Sequence, residues 1–223
     1  MKYGAQIGFK FHENGTAACY PGNTVIADVR PGNPAYDVMA ACLRMLREAE
    51  LSDLFICLPE DSYHMTVIRG VNDRVRSKQY WPEALDEGAP MKEADAYMRA
   101  AVERVAGIGN IRMRFDCAAI TAEDFRIRLT PADGAQAQVL ERYRDAVADS
   151  VGLRLPGHDA YRYHITPAYT WRLPDEVQAE RIGKLADRMN EMLKVQGEVL
   201  LDPPHFAWYR DMLSFSDRPI ERD

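Results

Sequence analysis

Tyr63-His64-Met65-Thr66 and Tyr163-His164-Ile165-Thr166 are two copies of one pattern, Tyr-His-x-Thr, set 100 residues apart. Each copy lies in a short run that reads as a β-strand, and side chains two apart on a strand share a face. Each therefore presents an imidazole and a hydroxyl side by side. If the two strands are neighbours, two histidines flank one cleft, with a hydroxyl beside each. Such a pair can take a proton from a nucleophile and give one to a leaving group across a phosphate. Tyr63 and Tyr163 alternate to the opposite face and are expected to pack behind the sheet.

The chain around the motifs divides into alternating elements. Ile7 to Phe11 and Thr16 to Tyr20 read as a hairpin about the turn His12-Glu13-Asn14-Gly15, with its Asn-Gly signal. Thr24 to Val29 is a strand. Asn33 and Pro34 form an N-cap and first-turn proline for a helix whose apolar face is Val38, Met39, Cys42, Leu43 and Leu46. Leu54 to Leu58 is a buried strand leading to the first motif strand, Tyr63 to Ile68. After the loop Arg69 to Pro90 come a helix over about 92–105 and two β segments, Ile111 to Ile120 and Phe125 to Thr130. The order then restarts. Pro131-Ala132-Asp133-Gly134 opens a helix to about Val151, and Tyr161 to Trp171 is the second motif strand. A helix follows over about 175–194, and a last strand runs from about Phe206 to Met212. Each half thus reads strand, helix, motif strand, helix, strand.

The fold expected is α/β (α+β): one domain over 1–223 of two duplicated lobes, antiparallel sheets lining a central cleft and helices outside. The first lobe spans about 24–120, the second about 123–213, and the N-terminal hairpin occupies 1–23. Repeats of this length are fused lobes, not the short units of a solenoid. Pro167, directly after Thr166, is expected to bend the second motif strand or set it at a sheet edge.

The chain has 223 residues, 47% hydrophobic and 28% charged, which supports a buried core and excludes wholesale disorder. Its net charge is −6. Proteins that grip long nucleic acid are usually basic, because phosphate neutralisation supplies most of the affinity, so a small phosphorylated substrate is the better match. Cys19, Cys42, Cys57 and Cys117 have no CxxC spacing and are expected to be buried, reduced thiols. No signal-peptide stretch and no run of about 18 apolar residues is present, so a cytoplasmic protein without membrane contact is expected.

For a phosphodiester held between two imidazoles, one neutral His removes a proton from the attacking oxygen and the other, protonated, donates to the departing one. An unperturbed pKa near 6.5 suits both roles. Thr66 and Thr166 can donate to the non-bridging oxygens. No HxxxH, HExxH or paired-carboxylate helix offers a metal cage, so neither metal nor cofactor is expected. Further candidates for substrate contact are Arg69, able to fork onto a phosphate oxygen, Tyr80 and Trp81, able to stack on a ring, and Tyr169. His12 reads as a solvated turn residue, His158 as a loop residue and His205 as structural.

Two H-x-[ST] motifs on strands of a duplicated fold resemble the two-histidine (2H) phosphoesterase superfamily, with its LigT-like RNA cyclic phosphodiesterases. The resemblance extends through the order of elements from about Thr24 to Met212. It implies that His64 and His164 are the catalytic pair and that Thr66 and Thr166 bind phosphate. The implied substrate carries a 2′,3′- or 1″,2″-cyclic phosphate on a nucleotide, an RNA end or a related small molecule, with no stable protein partner. The pattern departs from the family at Pro167, in the N-terminal hairpin and over 202–223. It is closest to a bacterial branch whose substrate is open. A non-catalytic nucleotide or phosphometabolite binding module and an RNA-end-processing 2′-5′ ligase or phosphodiesterase are the competing readings.

Overall fold

The two motif strands lie side by side at the middle of one antiparallel sheet. The computed structural model describes residues 2–220. Its strands are β1 (Gly22–Asp28), β2 (Phe55–Cys57), β3 (His64–Asn72), β4 (Ile111–Ile120), β5 (Asp124–Pro131), β6 (His164–Thr170), β7 (Glu198–Leu201), β8 (His205–Tyr209) and β9 (Phe215–Ser216). The order across the sheet is β7-β4-β5-β6-β3-β1-β8-β9, with β2 paired to β6 off that path. The sheet curls into a half-barrel, and the fold is α+β. The four α-helices are α1 (Pro34–Glu48), α2 (Met91–Glu103), α3 (Gly134–Val151) and α4 (Glu176–Gln196), with α1 packed on α4 and α2 on α3.

The helices start where the sequence signals them. The Ala35 amide donates to the Asn33 side chain at 2.9 Å, and Pro34 fills the first turn. Asp175 caps α4 in a capping box with Gln178. Asp133 caps α3, and Gly152 at φ +69 ends it in the left-handed region. No helix among the described residues is long and apolar enough to cross a membrane.

Several expectations change. There is one continuous sheet, not two. β4, the last strand of the first sequence half, pairs with β5 and β7, while β8 pairs with β1. Strand order is fixed by long-range pairing that a linear reading does not contain. β7 and β9 add to the strands expected; they are only four and two residues long, too short for a periodic signal. The N-terminal hairpin does not form as two strands. The His12–Gly15 turn is present, but pairing is limited to isolated bridges such as Phe11 with Ala17. The segment's remaining amides go elsewhere: Gly4 N–H donates to the Trp171 carbonyl, Ala5 to Ala122 and Tyr20 to Arg210. It is a strap laid across the sheet. Of the cysteines only Cys42 is buried; Cys57 and Cys19 are exposed and Cys117 is intermediate.

β3 and β6 touch through a single bridge pair, Met65 with Ile165, both fully buried. Beyond it β6 continues against β2, and β3 against β1 alone. The divergence opens a wedge, and the buried guanidinium of Arg144 fills it. That group donates to the Val67 and His158 carbonyls and lies over the Tyr161 ring at 4.5 Å. Backbone oxygens that would otherwise lack partners are thereby satisfied.

Both motif strands bulge directly after the threonine. On β3, Thr66 faces Ile26 and Ile68 faces Val25, so Val67 is extra. On β6, Ile165 faces Ile127 and Ala168 faces Phe125, so one residue is extra between them. Each bulge resets the alternation. β6 is an interior strand, and Pro167 sits in its bulge rather than at a sheet edge. Further along β3, a Cβ on Gly70 would lie 2.1 Å from Asn23 Oδ1, so only glycine fits that crossing.

Candidate active site

The Met65–Ile165 bridge fixes the site. With those side chains buried behind the sheet, His64, Thr66, His164 and Thr166 take the opposite face and line one cleft of about 730 Å³. The antiparallel register sets His64 across from Thr166, and Thr66 across from His164. Because of the two bulges, the next residue to face the cleft is three positions beyond each threonine. It is Arg69 on β3 and Tyr169 on β6, while Ile68 and Ala168 turn into the core.

The two imidazoles are held alike. His64 Nδ1 lies 2.7 Å from the Ser62 carbonyl oxygen, and His164 Nδ1 lies 2.9 Å from the Arg162 carbonyl oxygen. A carbonyl only accepts, so in each ring Nδ1 carries the hydrogen and the neutral ring keeps a lone pair on Nε2. Neither Nε2 has a protein partner among the described residues. The same carbonyl two residues upstream thus sets tautomer and ring orientation twice.

Burial is the largest influence on both rings and disfavours their charged forms. It lowers His64 to about 4, against the raising effects of the Ser62 carbonyl and Asp28. His164 is also lowered, first by burial and then by Arg126, while the Arg162 carbonyl opposes. Phe215 covers His64, ring centroids 4.1 Å apart. Asp28, the cross-strand neighbour of His64, is held by His205 Nε2 at 3.0 Å and by Arg30.

Of the further candidates, Arg69, Tyr80 and Tyr169 line the cleft. Arg69 donates to the Pro156 carbonyl and meets no carboxylate among the described residues. Trp81 does not belong to the cleft. It is 1% exposed, its indole N–H donates to the Asp86 carbonyl at 3.0 Å, and Arg76 stacks on its ring at 4.6 Å. It is the core residue that pins the loop. Trp81→Phe removes that hydrogen bond and leaves a small void, so it is expected to cost about 1–2 kcal/mol in chemical denaturation. Catalytic constants per folded molecule are expected to stay within about twofold, since small effects are typical away from a site. Tyr63 and Tyr163 pack behind the sheet, 2% and 9% exposed.

The structure adds residues that the sequence reading missed. Tyr161, from the loop before β6, lines the same cleft as Thr66 while Arg144 stacks on its ring at 4.5 Å. Lys10, from the N-terminal strap, and Arg126 also line the cleft. No local motif marks any of them, because each arrives by long-range packing. His158 does not join the site. It sits 3.0 Å from Asp145, in a cluster with Asp159 whose carboxylates are met by Arg154 at 2.9 Å each. The guanidinium already occupies the place a cation would take.

Comparison with known proteins supports the fold. The conserved protein of unknown function ATU0111 from Agrobacterium tumefaciens str. C58 superposes with a TM-score of 0.86 at 24% identity, over 96% of this chain and 91% of that one. TT0787 of Thermus thermophilus gives a TM-score of 0.41 at 15% identity, over 84% and 86% of the two chains, a much looser likeness. No curated protein matches the chain significantly. The family model described as 2H-phosphodiest, domain of unknown function (DUF1868), matches residues 10–123, which include the first motif and the strap residue Lys10, and the chain belongs to that family.

Proposed function

We propose that the protein is a phosphoesterase that hydrolyses a cyclic phosphodiester by general acid–base catalysis from His64 and His164. The matched imidazoles carry the reading: two rings with the same tautomer, held by equivalent carbonyls, with both Nε2 atoms left for a ligand in one cleft. One neutral Nε2 takes a proton from the attacking water as its oxygen bonds to phosphorus. The other ring, protonated, gives its Nε2 proton to the ester oxygen as that P–O bond breaks. Thr66 and Thr166 donate to the non-bridging oxygens, where charge builds. The acid and base roles are filled by side chains, so this mechanism calls on no metal ion. We read the half-sheets on either side of the Met65–Ile165 bridge as the lobes of a duplicated fold, which accounts for the shared bulge after each threonine.

The cleft volume suits a small ligand. The 2H resemblance implies, as the substrate class, a 2′,3′- or 1″,2″-cyclic phosphate on a nucleotide, an RNA end or a related small molecule, and we assign Arg69, Tyr80 and Tyr169 to its remainder. A panel of such compounds assayed for release of the monoester tests this. Tight binding of several members without any product over long incubation would replace the hydrolase by a binding module.

The pH dependence follows from the lowered pKa values. The active form of the free enzyme carries one proton on the pair. Burial lowers both imidazoles, so the singly protonated population peaks below the ordinary histidine value of about 6.5. Above that peak kcat/KM is expected to fall about tenfold per pH unit, and an acid limb is expected near pH 4. A kcat/KM profile from about pH 4 to 9 with its maximum above about pH 7.5 would count against this protonation scheme.

A further inference from the structure

Lys10 is a cation without a carboxylate partner among the described residues. Its ammonium sits 5.0 Å from the Tyr169 ring centroid and 5.7 Å from that of Tyr20. Of its three N–H donors, one has a protein acceptor, the Tyr169 hydroxyl at 3.2 Å. Asp124 and Glu123 attract Lys10 from beyond ion-pair distance, and both are bound directly by Arg126, at 2.5 Å and 3.1 Å. Burial is the largest influence on Lys10 and lowers its pKa. A half-buried ammonium with no carboxylate in ion-pair reach is a natural seat for an anion. The strap fixes the residue, with the Lys10 amide donating to the Gln6 carbonyl and the Lys10 carbonyl accepting from Ala18. The donors left over face the same cleft as the two histidines.

We propose that Lys10, framed by Tyr20 and Tyr169, is a binding site for a second anionic group of the substrate, a phosphate monoester separate from the cyclic phosphodiester. This rests on the reading of the cleft as a phosphoesterase site and narrows its substrate class to doubly phosphorylated molecules. Two hydroxyls and two imidazoles already surround the place assigned to the scissile phosphate. Tyr169, which holds Lys10, starts about 10 Å further along β6 than Thr166 at the usual rise per residue.

The test compares adenosine 2′,3′-cyclic phosphate with its 5′-phosphorylated form on the full chain, as wild type, Lys10→Met and Lys10→Arg. The wild type is expected to prefer the 5′-phosphorylated compound. Lys10→Met is expected to reduce that preference, the ratio of the two kcat/KM values, by about 10–100-fold through KM, as for loss of a charged hydrogen bond. Lys10→Arg is expected to keep part of it. Equal losses on both compounds would assign Lys10 to the scissile phosphate and overturn the proposal, as would an unchanged ratio. If the wild type hydrolyses neither compound, the proposed reaction fails on these substrates, and calorimetric titration with adenosine 5′-monophosphate and adenosine decides the site separately. Preference for the monophosphate that falls at least about tenfold in Lys10→Met supports it, and equal preference in both proteins overturns it.

Discussion

His64→Ala and His164→Ala are each expected to reduce kcat on a cyclic phosphodiester by about 10²–10⁴-fold while leaving the fold intact, the range typical of a lost general acid or base. Each ring makes one backbone hydrogen bond, to a carbonyl two residues away in its own chain segment. The sheet pairing beneath them runs through Met65 and Ile165, which the substitutions do not touch. Thermal unfolding is therefore expected to be close to wild type, which separates lost chemistry from lost structure. Because the two rings serve opposite ends of one displacement, the double variant is expected to fall little below the worse single one. Full activity in both single variants, on a substrate that the wild type cleaves, would remove the histidine pair from the mechanism.

What can be read from the sequence is what depends on near neighbours in the chain. Strand alternation places His64 with Thr66 and His164 with Thr166 without knowledge of the rest. Asn33-Pro34 announces its helix because capping is a matter of three or four residues. The bulges are not legible there, since an extra residue is defined only against a partner strand. Arg69 and Tyr169 reach the cleft because of those bulges, whereas simple alternation points to Ile68 and Ala168. Lys10 and Tyr161 lie in segments that read as strands, Ile7 to Phe11 and Tyr161 to Trp171, but the structure makes the first a strap and starts β6 only at His164, and long-range packing delivers both residues to the cleft. Trp81 shows the converse error. The basic, aromatic character of its loop suggests ligand contact, but composition does not reveal which ring turns inward.

Thr66→Val and Thr166→Val are expected to lower kcat by about 10²–10³-fold each, as for removal of one donor to a developing oxyanion. Valine keeps the shape of threonine with a methyl in place of the hydroxyl, so the loss reports chiefly the hydrogen bond. Serine at either position restores the donor and is expected to recover most of the rate. A cleft residue that could orient Thr66 is Tyr161, on whose ring Arg144 stacks at 4.5 Å. Tyr161→Phe leaves the Thr66 hydroxyl in place but removes the phenol that would orient it. A loss of about 3–10-fold is expected, the size of one neutral hydrogen bond. Combined with Thr66→Val, Tyr161→Phe is expected to add almost nothing, because the group it orients is gone. The same change combined with Thr166→Val is expected to multiply, since that hydroxyl stands on the other strand. Multiplicative losses in both combinations would show that Tyr161 acts on the substrate directly rather than through Thr66. Near-wild-type kcat in both valine variants would take the threonines out of the phosphate site altogether.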